Sequence, residues 1–343
     1  MRPLLAACAL SWSVCLAVLL PAPPAVAADA GARRAAERSA IALLRRMDDA
    51  LAQQSYDGVF TYMRGETVSS LRIMHTVIDG VPYERLVHLD GTPREILRVG
   101  DRVTVVLQRG DQLAEFADDI PPGPLARTFV RSYRRIAPQY RVVLGSAGRV
   151  AGRAAQVVGI VPNDADRYGH QLWLDVATGM LLKSQLVGAD GTPLEVFQCA
   201  QISLGRAIPQ REFQPPDDPD RVAHRLTTSP AAAAPPRRLG WSIGWVPSGF
   251  ATTAQTVRPT GNGGELLKTI FYGDGIAALS VFIEPVPEGS GLPSHPQVMR
   301  EGATVAVSVT ARDGGGRAHL VTVVGEVPAA TAERVARSVL PRR

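Results

Sequence analysis

Three groups of residues in the sequence have types and spacings that could do chemistry. The first is Gly240-Trp-Ser-Ile-Gly244, which matches the G-x-S-x-G motif of hydrolases, with Ser242 as the nucleophile on a turn between a strand and a helix. A stretch rich in proline and alanine precedes the motif, and Pro247 would interrupt a helix that began after it. We therefore interpret the motif as a tryptophan-anchored entry to a second domain, with a secreted hydrolase as the alternative.

The second group is Gly273-Asp-Gly-Ile-Ala-Ala278, which matches the G-x-G-x-x-A fingerprint of a dinucleotide-binding turn. The residues that follow, 279–284, are mostly β-branched, aromatic or otherwise apolar, and Pro285 and Pro287 end the run. A helix would have to begin at this point for the turn to hold a phosphate, whereas the pattern predicts a second strand. The sequence therefore predicts a hairpin here and no nucleotide cofactor.

The third group consists of four arginines within a predicted helix over 124–136. Their spacing of three and four residues places them on one helical face, which is either a solvated surface or a cradle for anionic groups such as lipid phosphates or acidic peptide side chains. Both interpretations stay open on the sequence alone. The four residues are Arg127, Arg131, Arg134 and Arg135.

The histidines and cysteines do not indicate a metal site. The chain has six histidines, and no two of them have the spacing of metal ligands. Residues 1–27 have the pattern of a secretory signal, because Arg2 precedes an apolar stretch that ends in Ala25-Val26-Ala27. Cleavage of this segment would leave Cys199 as the one cysteine, which we interpret as a small buried hydrophobe in a periplasmic protein.

A further set of apolar residues could line a binding site for a lipid chain. Methionine and aromatic side chains leave both faces of the first two predicted strands partly apolar, as an apolar concavity on one side of a sheet would require. A sheet that is buried on both faces would give the same pattern, and this alternative stays open. The candidate lipid-binding residues are Phe60, Tyr62, Met63, Ile73, Met74 and Trp173.

The composition is that of a folded protein large enough for two domains. Of 343 residues, 45% are hydrophobic, 20% charged and 6% aromatic, and the net charge is +5. In an exported protein this charge does not indicate nucleic acid, so we expect anionic lipids or an acidic peptide as partners. The sequence leaves a homo-oligomer open.

The elements that must position these residues are mainly strands. Apolar periodicity predicts one helix over 37–54, and Asp-Gly and Gly-Asp turns then separate five short strands of an antiparallel meander. Further strands follow, and a segment rich in proline predicts a linker. The predicted domains are 28–212, a linker over 213–238, and a second domain over 239–343 that ends in a helix over 329–339.

Several stretches, in order along nearly the whole predicted mature chain, resemble the RseB/MucB regulators of the envelope-stress sigma factor. In the first domain these are Leu43-Leu-Arg-Arg-Met-Asp48, Tyr56-Asp-Gly-Val-Phe60, Ser70-Leu-Arg-Ile73, Leu89-Asp-Gly-Thr-Pro-Arg-Glu95 and Tyr168-Gly-His-Gln-Leu-Trp-Leu-Asp175. In the second they are Trp245-Val-Pro-Ser-Gly-Phe250, Tyr272-Gly-Asp-Gly275, Val307-Ser-Val309 and Val324-Gly-Glu-Val-Pro328.

The resemblance implies an α+β protein whose first domain is a half-open antiparallel β-barrel with helices, similar to the lipoprotein carriers LolA and LolB. The second would be a small α/β domain. It also implies a periplasmic negative regulator that binds the periplasmic segment of an RseA- or MucA-type anti-sigma factor, shields it from the site-1 protease DegS, and is released by lipopolysaccharide or another lipid. The family brings no catalytic motif, so we expect no enzyme. The alternative is a periplasmic carrier of lipid or lipoprotein, although a simple carrier would not need the second domain.

Overall fold

The computed structural model describes residues 25–111, 138–226, 240–259, 266–287, 289–291 and 294–342. Helix α1 spans Ala25–Gln53 and so begins before the predicted start at residue 37. Ala40, Leu44, Met47 and Leu51 recur along one stripe of this helix and are buried against the first sheet. Among the described residues, no helix has the length and apolar character needed to cross a membrane.

The first domain is built on one antiparallel sheet of eleven strands. Strands β1 to β5 are neighbours in chain order, which confirms the predicted meander. The sheet does not close on itself, since β6 and β11 lie at its two ends, so the half-open architecture is confirmed as an open sheet around a helix. The strands are β1 Tyr56–Arg64, β2 Thr67–Ile78, β3 Val81–His88, β4 Glu95–Val99, β5 Arg102–Gln108, β6 Tyr140–Val150, β7 Arg153–Pro162, β8 Gly169–Asp175, β9 Leu181–Val187, β10 Pro193–Leu204 and β11 Arg221–Leu226.

The first domain extends into the segment that the sequence predicts to be a linker. A short 3₁₀ turn at Gln210–Phe213 buries the Phe213 ring against the Tyr83 ring, with 5.6 Å between the ring centroids. Strand β11 then pairs with β5 and becomes the edge of the sheet. Val222, His224 and Leu226 of this strand are half-buried and alternate with exposed residues, but the row is short and includes a histidine, which explains why the apolar pattern did not reveal it. The described part of the first domain therefore ends at Leu226 instead of residue 212.

In its described residues, the second domain has an antiparallel sheet of six strands with one helix packed on it. Helix α2 spans Ala329–Arg337 and buries Ala332, Val335 and Ala336 against a core of valines and isoleucines. It ends two residues before the predicted helix over 329–339, because Val339 begins a strand. The strands are β12 Trp241–Ile243, β13 Ala251–Pro259, β14 Leu266–Gly273, β15 Ala278–Pro285, β16 Gln297–Glu301, β17 Thr304–Arg312, β18 Ala318–Gly325 and β19 Val339–Pro341; β12 and β19 pair with each other as a separate ribbon.

Candidate functional site

A turn of the second domain reaches the first domain at Asp274. This residue lies between β14 and β15, and its Oδ1 atom accepts hydrogen bonds from the backbone N–H groups of Ile276 and Ala277, at 2.9 and 2.8 Å. The strands on either side pair as a hairpin, with Gly273 opposite Ala278. The glycine-rich stretch is therefore a turn closed by its own aspartate, and the predicted hairpin is confirmed.

The other carboxylate oxygen of Asp274 binds the first domain. Its Oδ2 atom accepts a hydrogen bond from the Tyr140 hydroxyl at 2.9 Å and pairs with the Nη1 atom of Arg167. Arg167 also donates from Nη2 to the Ser248 carbonyl oxygen at 2.6 Å, and from Nε to Asp164 Oδ1 at 3.1 Å. The side chains of Arg167 and Asp274 are both 0% exposed. A buried ion pair with every partner in place thus joins the two domains.

Aromatic rings exclude water from this ion pair. The Arg167 guanidinium lies 5.4 Å from the centre of the Tyr140 ring and 5.3 Å from that of Phe250, so one ring comes from each domain. Burial raises the pKa of the Tyr140 hydroxyl, and the Asp274 charge raises it further. Nearby, burial lowers the pKa of His170 to about 4, although the Asp274 charge opposes this shift. The histidine is therefore neutral at neutral pH and leaves the ion pair undisturbed.

A second contact between the domains is centred on Glu195 in β10. Its carboxylate accepts hydrogen bonds from the Tyr62 hydroxyl at 2.7 Å and from the backbone N–H of Ala303 at 3.2 Å. Arg64 donates to Thr304 Oγ1 at 3.0 Å. The turn that carries Ala303 can approach β1 and β10 because Gly302, with φ of +58°, has no Cβ. A Cβ atom at this position would lie 2.8 Å from the Arg64 side chain and 3.0 Å from the Glu195 carboxylate.

A cavity of about 470 Å³ lies on the sheet face of β6 to β9, beside Arg167. Strand register places Val143, Gly159 and Gln171 in one row across this face. The walls are mixed in polarity: valines and glycines form part of the lining, together with Asp164, Arg167, His170 and Gln171. The lining residues are Val143, Gly145, Ser146, Val157, Gly159, Ile160, Val161, Pro162, Asp164, Arg167, Gly169, His170, Gln171, Val187, Gly188 and Ala189.

The candidate lipid-binding residues do not share one surface. Phe60, Tyr62 and Ile73 lie on the face of the sheet that packs against α1, where Phe60 and Ile73 are buried in the core. Met63 and Met74 lie on the opposite face, because neighbouring residues of a strand alternate.

The six residues also differ in what they contact. Met74 is buried, whereas Met63 is 38% exposed. Trp173 is half-buried, with the Lys183 Nζ atom 4.7 Å from its ring centre. Tyr62 bonds Glu195 at the contact with the second domain. Their role in lipid binding stays a prediction, as does that of Arg127, Arg131, Arg134 and Arg135, which lie outside the described residues together with the predicted helix over 124–136.

Ser242 has the surroundings of a structural serine. It lies in the middle of β12, which pairs with β19, and its hydroxyl donates to the Leu340 carbonyl oxygen at 3.3 Å. The neighbouring Trp241 is buried and meets the His319 ring edge to face, with 4.9 Å between the ring centroids. The predicted tryptophan-anchored entry to the second domain is confirmed.

Cys199 is buried in the core of the first domain, and burial raises the pKa of its thiol to about 11. Within the described parts of the chain, no three histidine, cysteine, aspartate or glutamate side chains are close enough together to hold a metal ion.

The residues that join the domains are absent from the candidates that the sequence provides. Arg167 and Asp274 are 107 positions apart, so no local spacing connects them. The sequence contained one indication, which is Asp274 inside the Gly273–Ala278 turn. Only one of its two carboxylate oxygens closes the turn, so the other is available to a partner elsewhere. Glu195 and Arg167 carry no comparable signal.

Two family models match the chain. Residues 39–217 match the MucB/RseB N-terminal domain, and residues 235–340 match the MucB/RseB C-terminal domain. The sigma factor AlgU regulatory protein MucB of Pseudomonas aeruginosa is 37% identical over 301 residues, which cover 87% of this chain and 90% of that protein. The sigma-E factor regulatory protein RseB of Salmonella typhimurium is 27% identical over 321 residues, which cover 90% of this chain and 92% of RseB.

Solved structures similar to this chain come from the same family. The complex of Pseudomonas aeruginosa MucA and MucB contains a chain that is 34% identical, with a TM-score of 0.74, and the match covers 89% of this chain and 99% of that one. MucB crystallised with the periplasmic part of MucA gives a TM-score of 0.72 at 34% identity over 89% of this chain and 99% of that chain. A structure described as MucB gives 0.59 at 33% identity, over 89% of this chain and 98% of that one.

Proposed function

The chain belongs to the MucB/RseB family of sigma-factor regulators, and on that premise we propose that it is a periplasmic negative regulator of an envelope-stress sigma factor. It acts by binding the periplasmic segment of a MucA- or RseA-type anti-sigma factor. The observation that carries the proposal is that both domains match the family in order, and that 89% of the chain superimposes on a chain of a MucA/MucB complex. No bond is made or broken in this function.

The two contacts between the domains support a role for both domains in binding. The Arg167–Asp274 ion pair and the Glu195 contact hold the second domain against the ends of β1, β6 and β8 to β10. A carrier of the simple LolA or LolB kind would have no use for such a fixed second domain. A regulator that binds a peptide segment between or beside two domains requires a second domain in a fixed position. The relative position of the domains then determines the shape of the binding surface.

Occlusion explains how binding would regulate. A site-1 protease can cut the anti-sigma factor only when its recognition segment is free, so the bound regulator blocks the first cleavage. Lipopolysaccharide or another lipid relieves the block if it binds better to the regulator without the segment than to the complex. The largest shift it can cause equals this difference in binding free energy.

Binding to the cognate anti-sigma factor tests the proposal. The purified mature chain is titrated with the isolated periplasmic segment of the MucA-type protein of the same organism, and heat release is recorded by calorimetry. We expect saturable binding, followed by displacement when lipopolysaccharide micelles are added. A chain that does not bind the segment is not a regulator of this kind, and binding of lipopolysaccharide alone would then favour the carrier.

A further inference from the structure

Strand β6 is the last strand at one end of the eleven-stranded sheet. It pairs with β7 along one side, and within the part of the chain that the structure describes no strand pairs with its other side. The residues from Val143 to Ala147 are exposed, with Val143 at 37% and Leu144 at 40%. An edge strand presents unpaired backbone donors and acceptors, and it is therefore a template for an added strand.

The cavity lies on the face of the sheet next to this edge. Val143 contributes to its wall, together with the apolar side chains of Val157, Val161 and Val187 from the adjoining strands. A Cβ at Gly159 would lie 2.8 Å from Val143 Cγ2, so glycine at this position leaves room for the Val143 side chain and adds no side chain of its own to the cavity. Because alternate side chains of a strand point to the same face, one side chain of an added strand would point into this cavity.

The charges of β6 indicate what kind of segment fits. The strand has Arg141 near one end and Arg149 near the other, both exposed, and it has no acidic residue. Arg141 lies on the same face as Val143, whereas Arg149, opposite Ala154, lies on the other face of the sheet. An extended peptide with an apolar residue in its middle and a carboxylate towards each end, one on each face, would match this pattern. A lipid chain could fill the cavity, but it could not hydrogen-bond the backbone of the edge. Part of that backbone is already bonded, since the Gly145 and Ser146 carbonyl oxygens accept from the Gln156 side chain.

This inference rests on the proposed function: we infer that an extended segment of the anti-sigma factor adds to β6 as a further strand. One apolar side chain of the segment enters the cavity beside Val143, and its acidic residues face Arg141 and Arg149. Backbone hydrogen bonds to β6 supply affinity, and the cavity fixes the register and the sequence preference.

A pair of matched variants tests the cavity. Val143→Arg places a charge at the cavity wall, and Val81→Arg places the same charge at a residue of β3 that is 38% exposed and does not line the cavity. We expect Val143→Arg to weaken binding of the purified periplasmic segment about tenfold or more, as loss of a central anchor does, and Val81→Arg to leave it within about twofold. Circular dichroism and melting confirm that both variants are folded.

Amide hydrogen exchange on the unmodified chain tests the added strand independently. On binding, the amides of residues 143–147 should exchange more slowly, whereas those of β11 at the other edge of the sheet should keep their rates.

Three results overturn the inference, and they are distinguishable from one another. If the unmodified chain does not bind the segment at all, the proposed function fails and this inference fails with it. If the segment binds but Val143→Arg has no effect and residues 143–147 gain no protection, only the inference is wrong. If Val143→Arg abolishes binding of lipopolysaccharide micelles while the segment still binds normally, the cavity accommodates lipid instead.

Discussion

Arg167 of the first domain and Asp274 of the second form an ion pair in which neither side chain is exposed to solvent. Moving two charges out of water is costly, so such a pair adds little net stability, whereas removing one partner leaves a buried charge uncompensated. Two apolar contacts also join the domains: Ala303 packs with Tyr168, Leu186 and Leu194, and Ile276 packs against the core of the first domain. The polar groups add to these contacts a requirement that they meet in one specific arrangement.

Asp274→Asn should separate the domains without unfolding either. The change removes the negative charge, and Arg167 would then be buried without a counter-charge, a state that costs about 3–5 kcal/mol. Undocking avoids this cost because it exposes Arg167 to water. We expect a larger radius of gyration in small-angle X-ray scattering.

The matched control for this variant is Asp313→Asn. Asp313 closes the turn between β17 and β18 by accepting the backbone N–H groups of Gly315 and Arg317, but it makes no bond to the first domain. It should leave the radius of gyration unchanged. Equal scattering from all three proteins would show that the ion pair does not hold the domains.

Stability should fall as the pH decreases from about 7 to 4. Burial lowers the pKa of His170 from 6.5 to about 4, and it also lowers the pKa of His75. Below pH 6.5 the unfolded chain binds protons that the folded chain does not, so the free energy of unfolding decreases until the pH reaches the folded pKa. Urea unfolding at several pH values measures this slope.

His170→Asn should make the free energy of unfolding depend less steeply on pH between 6.5 and 4, since it removes one of the two histidines whose pKa burial lowers. His295→Asn, at an exposed position, is the control and should keep the slope of the unmodified chain. Identical slopes in all three would mean that His170 titrates normally in the folded protein.

Cys199 should not react with thiol reagents while the protein is folded. The side chain is 1% exposed, and burial raises the pKa of its thiol to about 11, so both access and thiolate are lacking at neutral pH. Ellman's reagent should release colour from a chain that begins at residue 28, in which Cys199 is the one cysteine, only after guanidinium is added. A Ser290→Cys variant, at an exposed position, provides the positive control. Rapid reaction of the unmodified chain would place Cys199 at an accessible site.

Ser242→Ala should leave the binding of the anti-sigma segment unchanged. It should change the free energy of unfolding by no more than about 0.5–1.5 kcal/mol. The hydroxyl makes one hydrogen bond of 3.3 Å to Leu340, and the strand pairing does not depend on it. Chemical denaturation and calorimetric titration measure the two quantities. A loss of esterase activity in this variant, with activity in the unmodified chain, would revive the hydrolase interpretation.

The sequence predicts the parts of this fold that local chemistry determines. Asp-Gly and Gly-Asp turns located the meander of β1 to β5, and the Gly273–Ala278 turn was recognised as a hairpin because strand-forming residues follow it. Strand β11 escaped prediction because its half-buried row of Val222, His224 and Leu226 is short and includes a histidine, and because its partner β5 lies more than 100 residues earlier. Local patterns cannot supply such a pairing.

The candidate site was predictable to a smaller extent. The alternation of side chains along a strand predicts that Tyr62 and Met63 lie on opposite faces of the sheet. Which of the two faces lies against α1 becomes clear only from the register of β1 with β2 and β10. Arg167 meets Asp274, and Glu195 meets Ala303, only once the two domains have docked, so apart from the aspartate in the Gly273–Ala278 turn no pattern within either domain identifies them. Their chemistry, that of charged groups, is also the commonest on any protein surface.

Cleavage of the anti-sigma factor in the presence of this protein tests the central claim most directly. The periplasmic segment is incubated with the activated site-1 protease, with and without the mature chain, and the uncut fraction is followed by electrophoresis. If the protein is present at about 100 times its dissociation constant, cleavage should slow about a hundredfold, and lipopolysaccharide should restore the rate. Cleavage at the same rate with and without the protein, under conditions where the segment is bound, would contradict regulation by occlusion.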